Sequence, residues 1–242
     1  KDLILELISE ELAVPTEDIL DTDLFLYPFE KALCVGLHNE FISAPRLDDL
    51  SMTYSSLYGF LNASSSKGIS VFTCFDNEEI GSRTKQGADS PFLANTLERI
   101  MLALDKTREE FLMSLAKSFM ISADVAHLLH PNYPEKSDPT NKVLPGKGPA
   151  IKLNANFSYT TDSDSYSVFA ALCKGHNIPY QVFVNRSDEK GGSTIGPVSA
   201  SHLPIRSIDI GTPILSMHSA RELMATQDFL YTCDILQAFF NL

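Results

Sequence analysis

The chain has 242 residues, with 19 Lys plus Arg against 31 Asp plus Glu and a formal net charge of −12. An apolar share of 44% with 21% charged residues is the balance of a folded globular protein, and the length suits one large domain or two small ones. The acidic surplus argues against binding a phosphate backbone, where excess Lys and Arg must displace counterions. No apolar run approaches the roughly 20 residues that a membrane-spanning helix needs.

The chain opens at Lys1, shows no signal or transit pattern, and runs straight into helical periodicity over Leu3–Leu12, as a segment of a longer polypeptide does. Helical spacing returns over Leu47–Leu61, and Ser64–Ser66 reads as a loop tip. A β-rich run, Ser70–Phe75, precedes a further helical stretch over Phe92–Ala116. Strands are predicted at Phe119–Ala123, Ala150–Leu153, Tyr180–Asn185 and Arg206–Ile210, with a helix over Ser165–Lys174. Pro131–Gly148 is the longest irregular stretch, and a loop of that length in a compact domain generally serves a site or an interface. Ser219-Ala-Arg-Glu222 has the spacing of a capping box, predicting a helix from there to about Phe240. Strands alternating with helices indicate an α/β sandwich around a mixed, mainly parallel sheet. The four cysteines, Cys34, Cys74, Cys173 and Cys233, form no CxxC pair and sit in apolar stretches, which predicts reduced core thiols in a cytosolic protein.

In α/β folds, sites gather beyond the carboxyl ends of strands. The run Val71–Phe75 ends in Asp76-Asn-Glu-Glu79. Within a strand Glu78 and Glu79 point to opposite faces, so they serve one site only from a turn; a solvated acidic turn is the alternative. Phe119–Ala123 ends in Asp124, with His127 and His130 following, where a capping Asp with surface histidines is the alternative. Ile214–Met217 leads to His218, which by itself reads as a structural histidine. Ala44–Leu47 leads to Asp48 and Asp49, which could equally be helix caps. The spacings of 31, 45 and 94 between Asp48, Glu79, Asp124 and His218 match no local metal motif. Carboxylates with a histidine and no thiolate are nevertheless the ligand chemistry of a hydrolytic zinc or manganese pair.

Taken together, the segments closely resemble the aspartyl aminopeptidase family of dinuclear zinc metallopeptidases. The matching stretches are Phe41–Asp48, Asp76–Ser82, Ser122–Tyr133, Lys147–Lys152, Gly191–Pro197 and Met217–Glu222, in the family's order. The resemblance implies a three-layer α/β/α sandwich of the zinc-peptidase kind. In it Asp48 bridges two zinc ions, Glu79 and His218 complete one metal's protein ligands, and Asp124 binds the other. Glu78 is left unligated as the general base acting on a metal-bridging water, since a ligated carboxylate is too weak a base. His127, Lys152 and Tyr159 are implied to contact substrate, with the Lys152 ammonium pairing the side chain of an N-terminal Asp or Glu. Gly191–Gly196, including Gly192, forms a backbone wall beside the substrate, and His130 serves assembly.

The family pattern also carries a histidine ligand upstream, in a His-Thr-Asp-Ser context that nothing here matches; His38, His176 and His202 have other surroundings. By the same resemblance, residues 1–37 are the end of an inserted β-rich lid and dimerisation domain with its return segment, and residues 38–242 the C-terminal part of the catalytic domain. The N-terminal part of that domain and most of the lid fall outside this chain. The expected protein is a cytoplasmic, metal-dependent aminopeptidase with two divalent ions per site, zinc or else manganese or cobalt. It releases N-terminal acidic residues from peptides, binds neither nucleic acid nor membrane, and assembles as a homo-oligomer, a tetrahedral dodecamer. It requires the N-terminal segment of the same protein. The rival readings are a non-catalytic fragment or assembly subunit, and a family member preferring neutral N-terminal residues.

Overall fold

The computed structural model describes residues 3–64 and 68–242; Lys1, and Ser65 and Ser66 of the expected loop tip, lie outside the described residues. Contacts divide the chain into two compact units, with the boundary between Glu30 and Lys31. The first holds helix α1 (Leu3–Leu12), as its periodicity predicts, and a 3-10 turn at Thr16–Asp18. The helix ends at Ala13, whose φ of 52° is left-handed. None of its residues is buried, and Leu3, Ile4, Leu7 and Leu12 are exposed.

The second unit is mixed α/β. Its helices are α2 (Leu47–Asn62), α3 (Phe92–Ala103), α4 (Arg108–Lys117), α5 (Ser163–Gly175), α6 (Ile195–His202) and α7 (Thr226–Phe240). Its strands are β1 (Leu33–Val35), β2 (Phe41–Ala44), β3 (Phe119–Ala123), β4 (Ala126–His127), β5 (Ala150–Leu153), β6 (Gln181–Val184), β7 (Arg206–Gly211), β8 (Pro213–Leu215) and β9 (Glu222–Ala225). The strands form two sheets, β1-β2-β9-β8-β4 and β3-β7-β5-β6. The first is antiparallel except where β4 runs with β8; in the second, β3 with β7 and β5 with β6 are parallel, and β5 with β7 antiparallel.

Two neighbouring segments pass from one sheet to the other side by side. The chain leaves β3 through Asp124 and Val125 into β4, while β7 continues through Thr212 into β8. The ladder survives the passage, because Asp124 N–H donates to the Ile210 carbonyl at 3.1 Å and Ala126 N–H to the Thr212 carbonyl at 3.0 Å. Gly211 permits it: a Cβ there would lie 2.1 Å from the Asp124 carbonyl oxygen. Asp124 therefore sits at the seam between the sheets. Below it, β7 is buried from Ser207 to Gly211, as a central strand covered on both faces must be. Ile208, Ile210, Ile151, Phe169 and Ile235 form the core there, each worth about 1.5–3 kcal/mol of burial. Helices α2 and α7 touch backbone to backbone at Gly59, where a Cβ would come within 2.7 Å of Gln237 N.

The sequence expectations need correcting at four places. Ser70–Phe75 forms no strand: Val71 and Cys74 are exposed, and β propensity without a ladder partner does not make a strand. Phe92–Ala116 is two helices, broken where Asp105 turns left-handed (φ 57°) and Thr107 caps α4 in a capping box with Glu110. Ser219–Glu222 is no capping box, since Glu222 opens β9 and the last helix starts at Thr226. All four cysteines are free, but only Cys173 and Cys233 are core thiols; Cys34 and Cys74 are exposed.

The long loop after His130 is tied down from α7. The buried Asp228 carboxylate accepts the Gly146 amide at 2.9 Å and the Gly148 amide at 2.7 Å, while Gln181 bonds Leu144 and the Gly148 carbonyl. Replacing Asp228 by Asn leaves one of those amides facing an NH2 group. Asp228→Asn is expected to cost about 1–3 kcal/mol in denaturant unfolding and to speed amide exchange at Gly146 and Gly148. Unchanged exchange there would mean that Gln181 alone holds the loop.

Candidate metal centre

Three separate segments bring Asp48, Glu79 and His218 together. Asp48 stands at the entry to α2, where Arg46 is left-handed (φ 56°) and Asp48 (ψ 112°) and Asp49 are not yet helical. The peptide between the two aspartates is cis. Glu79 lies in a turn closed by Gly81 N–H to the Glu78 carbonyl and Ser82 N–H to the Asn77 carbonyl, both at 2.9 Å. Glu78 and Glu79 thus occupy a turn, as the pleat argument requires if both serve one site. His218 lies between β8 and β9 with a φ of 65°. Its Nε2 is 2.9 Å from Asp48 Oδ2 and 3.1 Å from Glu79 Oε2.

One imidazole nitrogen and two carboxylate oxygens, all within 4.8 Å of one another, form a donor set that zinc accepts. Asp48 also belongs to a second group, with Asp49 and Asp124, whose oxygens are equally close. Here Asp49 Oδ1 is buried with no hydrogen-bond partner, which is costly for a carboxylate oxygen and which a cation would relieve. Both groups therefore fit divalent ions, the second with carboxylates alone.

The crowding shows in the titration of these acids. Burial, then the Asp124 and Glu79 carboxylates, push Asp48 up to about 7 against the opposing effect of His218. Burial and Asp124 raise Asp49 well above the carboxylate range. Glu78 is pushed up to about 7 by burial, then by Asp124 and Glu79, with Lys152 and His218 acting the other way. Asp124 is paired: Lys152 Nζ stands 2.8 Å from its Oδ2. Burial alone would lower the Lys152 ammonium's pKa, but the Asp124 carboxylate outweighs it and the net shift is upward.

The remaining residues singled out from the sequence lie as follows. Lys152 is 3% exposed and its ammonium stands 5.6 Å from the ring centroid of Tyr159, itself buried against Phe183. His127 is exposed on β4, its ring 6.0 Å from that of Phe183. Gly192 is exposed in the irregular segment before α6. His130 Nδ1 accepts the Asn132 amide at 3.2 Å, and its ring lies 4.9 Å from that of Tyr133.

Sequence reasoning missed Asp209, a fully buried acid in the middle of β7. Its Oδ2 accepts Thr160 N–H at 2.6 Å and Thr160 Oγ1 at 2.8 Å, and its Oδ1 accepts Thr194 Oγ1 at 2.6 Å. It thereby ties the Tyr159 turn to the glycine segment. The signal was there, since an Asp between Ile208 and Ile210 in an apolar strand must have buried partners. Asp49, which shares a helix-cap alternative with Asp48, joins the second group of carboxylates, and Glu222 lies in β9.

A cluster of carboxylates with one histidine, able to hold a divalent ion on a mixed α/β frame, is the class of centre that these elements define. A profile of the aminopeptidase I zinc metalloprotease (M18) family matches residues 1–240. The chain is 55% identical over 241 residues to a probable M18 family aminopeptidase 2 of Clostridium novyi (strain NT), covering 100% of this chain and 56% of that protein. It is 42% identical over 252 residues to aspartyl aminopeptidase 4 of Saccharomyces cerevisiae, covering 98% and 51%. A chain in the cryo-EM structure of the Ape4 and Nbr1 complex superposes with a TM-score of 0.91 at 38% identity, covering 100% of this chain and 48% of that one. The S. cerevisiae mApe1 dodecamer superposes at 0.85 and 29% identity, covering 99% and 55%. The chain belongs to the aminopeptidase I zinc metalloprotease (M18) family. It spans about half the length of the relatives it matches. Among the described residues, no helix is long and apolar enough to cross a membrane.

Metal removal is expected to expose the repulsion among the carboxylates. Asp48 and Glu78 bind protons more tightly folded than unfolded, so in metal-stripped protein their stabilising contribution is complete below the ordinary carboxylate pKa. It is lost as pH rises towards about 7. The thermal midpoint of stripped protein should therefore fall across that window, and added zinc should restore it on the neutral side. A midpoint indifferent to zinc at neutral pH would remove these residues as a metal centre.

Proposed function

We propose that the protein carrying this chain is a zinc-dependent aminopeptidase that removes N-terminal Asp and Glu from peptides. The observation that carries this reading is the Asp48–Glu79–His218 donor cluster with a second, uncommitted glutamate in the same turn. Asp48, Glu79 and His218 would hold one ion, and Asp48 with Asp124 a second; manganese or cobalt would suit the same donors. When bound, such ions lower the pKa of water and polarise the scissile carbonyl. Glu78 is the general base: its carboxylate takes the proton of the attacking water and delivers it to the leaving amine. Its raised pKa suits a group that must both accept and release a proton near neutrality.

Lys152 supplies the acidic preference. Its ammonium is buried and has Asp124 as its counter-ion. Once Asp124 serves as a ligand, that positive charge is available to the side-chain carboxylate of an N-terminal Asp or Glu. His127, Tyr159 and Gly192 would contact the same substrate. The kinship with a yeast aspartyl aminopeptidase supports this substrate class, and the dodecameric relative supports a homo-oligomer, for which we propose tetrahedral symmetry. A histidine from the N-terminal segment of the same protein would complete the Asp124-side donors. Residues 1–37 would close the inserted lid domain, and the assembly would work in the cytoplasm.

Glu78→Gln in the full protein should retain its metal while turnover drops about 10²–10⁴-fold; undiminished turnover would remove Glu78 as the base. Lys152→Met should lower kcat/KM for Asp- and Glu-peptides about 10–100-fold, the value of a charge-assisted hydrogen bond, and spare Leu-peptides. An equal loss on both substrate classes would sink the specificity assignment while leaving the peptidase.

A further inference from the structure

Glu222 is 2% exposed, and its carboxylate accepts two main-chain amides, one from the loop just before β9 and one 174 positions away in the chain. Its Oε2 accepts Asp48 N–H at 2.9 Å and its Oε1 accepts His218 N–H at 2.8 Å. Those two residues offer Oδ2 and Nε2 to the same cluster, 2.9 Å apart. We propose that Glu222 is a positioning residue for the metal centre: one buried carboxylate grips the main chain of Asp48 and of His218 and sets the spacing of their ligand atoms. The proposal rests on the reading that Asp48 and His218 hold one ion.

The loops need such a clamp. His218 and Ser216 sit at φ values of 65° and 59°, a region that costs a non-glycine residue on the order of 1–2 kcal/mol. Asp48 lies two residues after the left-handed Arg46, in the first turn of α2, and its own backbone angles are not helical. Neither segment has a regular ladder at the ligand. Glu222 does, because β9 pairs with β2 in register, Ala44 opposite Glu222 and Ser43 opposite Leu223. Next to it, Arg221 binds the Ser43 hydroxyl at 3.0 Å and the Ser43 carbonyl at 2.9 Å, locking the loop's end to β2. Because Glu222 bonds only main-chain N–H groups, it fixes the ligand residues and leaves Oδ2 and Nε2 free for a cation. Both carboxylate oxygens are needed. A glutamine has one acceptor and would turn its NH2 towards the other amide.

The test compares zinc affinity, by competition with a chromophoric chelator, and the visible spectrum of the cobalt-substituted protein, in the full-length wild type and Glu222→Gln. The expected result is a loss of about 10–100-fold in zinc affinity, typical of outer-sphere substitutions, and a shifted cobalt band. Asp228→Asn, destabilising but remote from these ligands, should leave both unchanged and so separates positioning from general loosening. If Glu222→Gln does not fold, Glu222→Asp keeps the charge but cannot span both amides, and should show a smaller loss. A folded Glu222 variant with wild-type affinity and spectrum overturns the positioning role and leaves the metal site standing. Wild-type protein that binds no zinc overturns both.

Discussion

Repulsion among carboxylates is the constraint on which this structure turns. Burial and the neighbouring carboxylate charges, Asp124 foremost, push Asp48, Asp49 and Glu78 upward, with Lys152 and His218 as the opposing charges. Two like charges about 4 Å apart cost about 4 kcal/mol even at an effective dielectric of 20. An arrangement so unfavourable by itself persists because the frame around it is stiff. Strand β7 is buried from Ser207 to Gly211, and the segments that carry Asp48 and His218 are both bonded to Glu222.

Those outside bonds share one chemistry. Glu222, Asp209 and Asp228 are buried acids, and each ties together segments that are distant in the chain through amide or hydroxyl donors. Using fixed dipoles leaves the local cations to the centre itself, where Lys152 answers Asp124. The seam between the two sheets does the rest. By carrying two adjacent chains across together, it presents Asp124 without breaking the ladder that supports it.

The net charge of −12 acquires a different meaning in this light. An acidic protein proposed to take acidic peptide ends must reverse its own field locally. A buried ammonium together with bound dications would achieve that within a wall of carboxylates, and on the proposed reading part of the negative excess is capacity for metal.

Much of the fold was legible in local pattern. Strands β3, β5, β6 and β7 and helices α1, α2 and α5 lie where periodicity put them, because buried faces repeat at the period of the element. The placement of Glu78 and Glu79 in a turn and of Asp124 just past a strand followed from the same rules. The break between α3 and α4 was legible too and was overlooked: Thr107 and Glu110 are a local capping box. Other features were decided only by partners far along the chain. Ser70–Phe75 has strand composition and no ladder among the described residues. Ser219 and Glu222 have capping spacing, yet Glu222 bonds a residue 174 positions away. Residue types and their spacing thus determined which groups could do the chemistry. Their directions, pairings and crowding came from the tertiary structure, because a hydrogen bond or a Coulomb interaction depends on distance in space, and local periodicity carries no record of it.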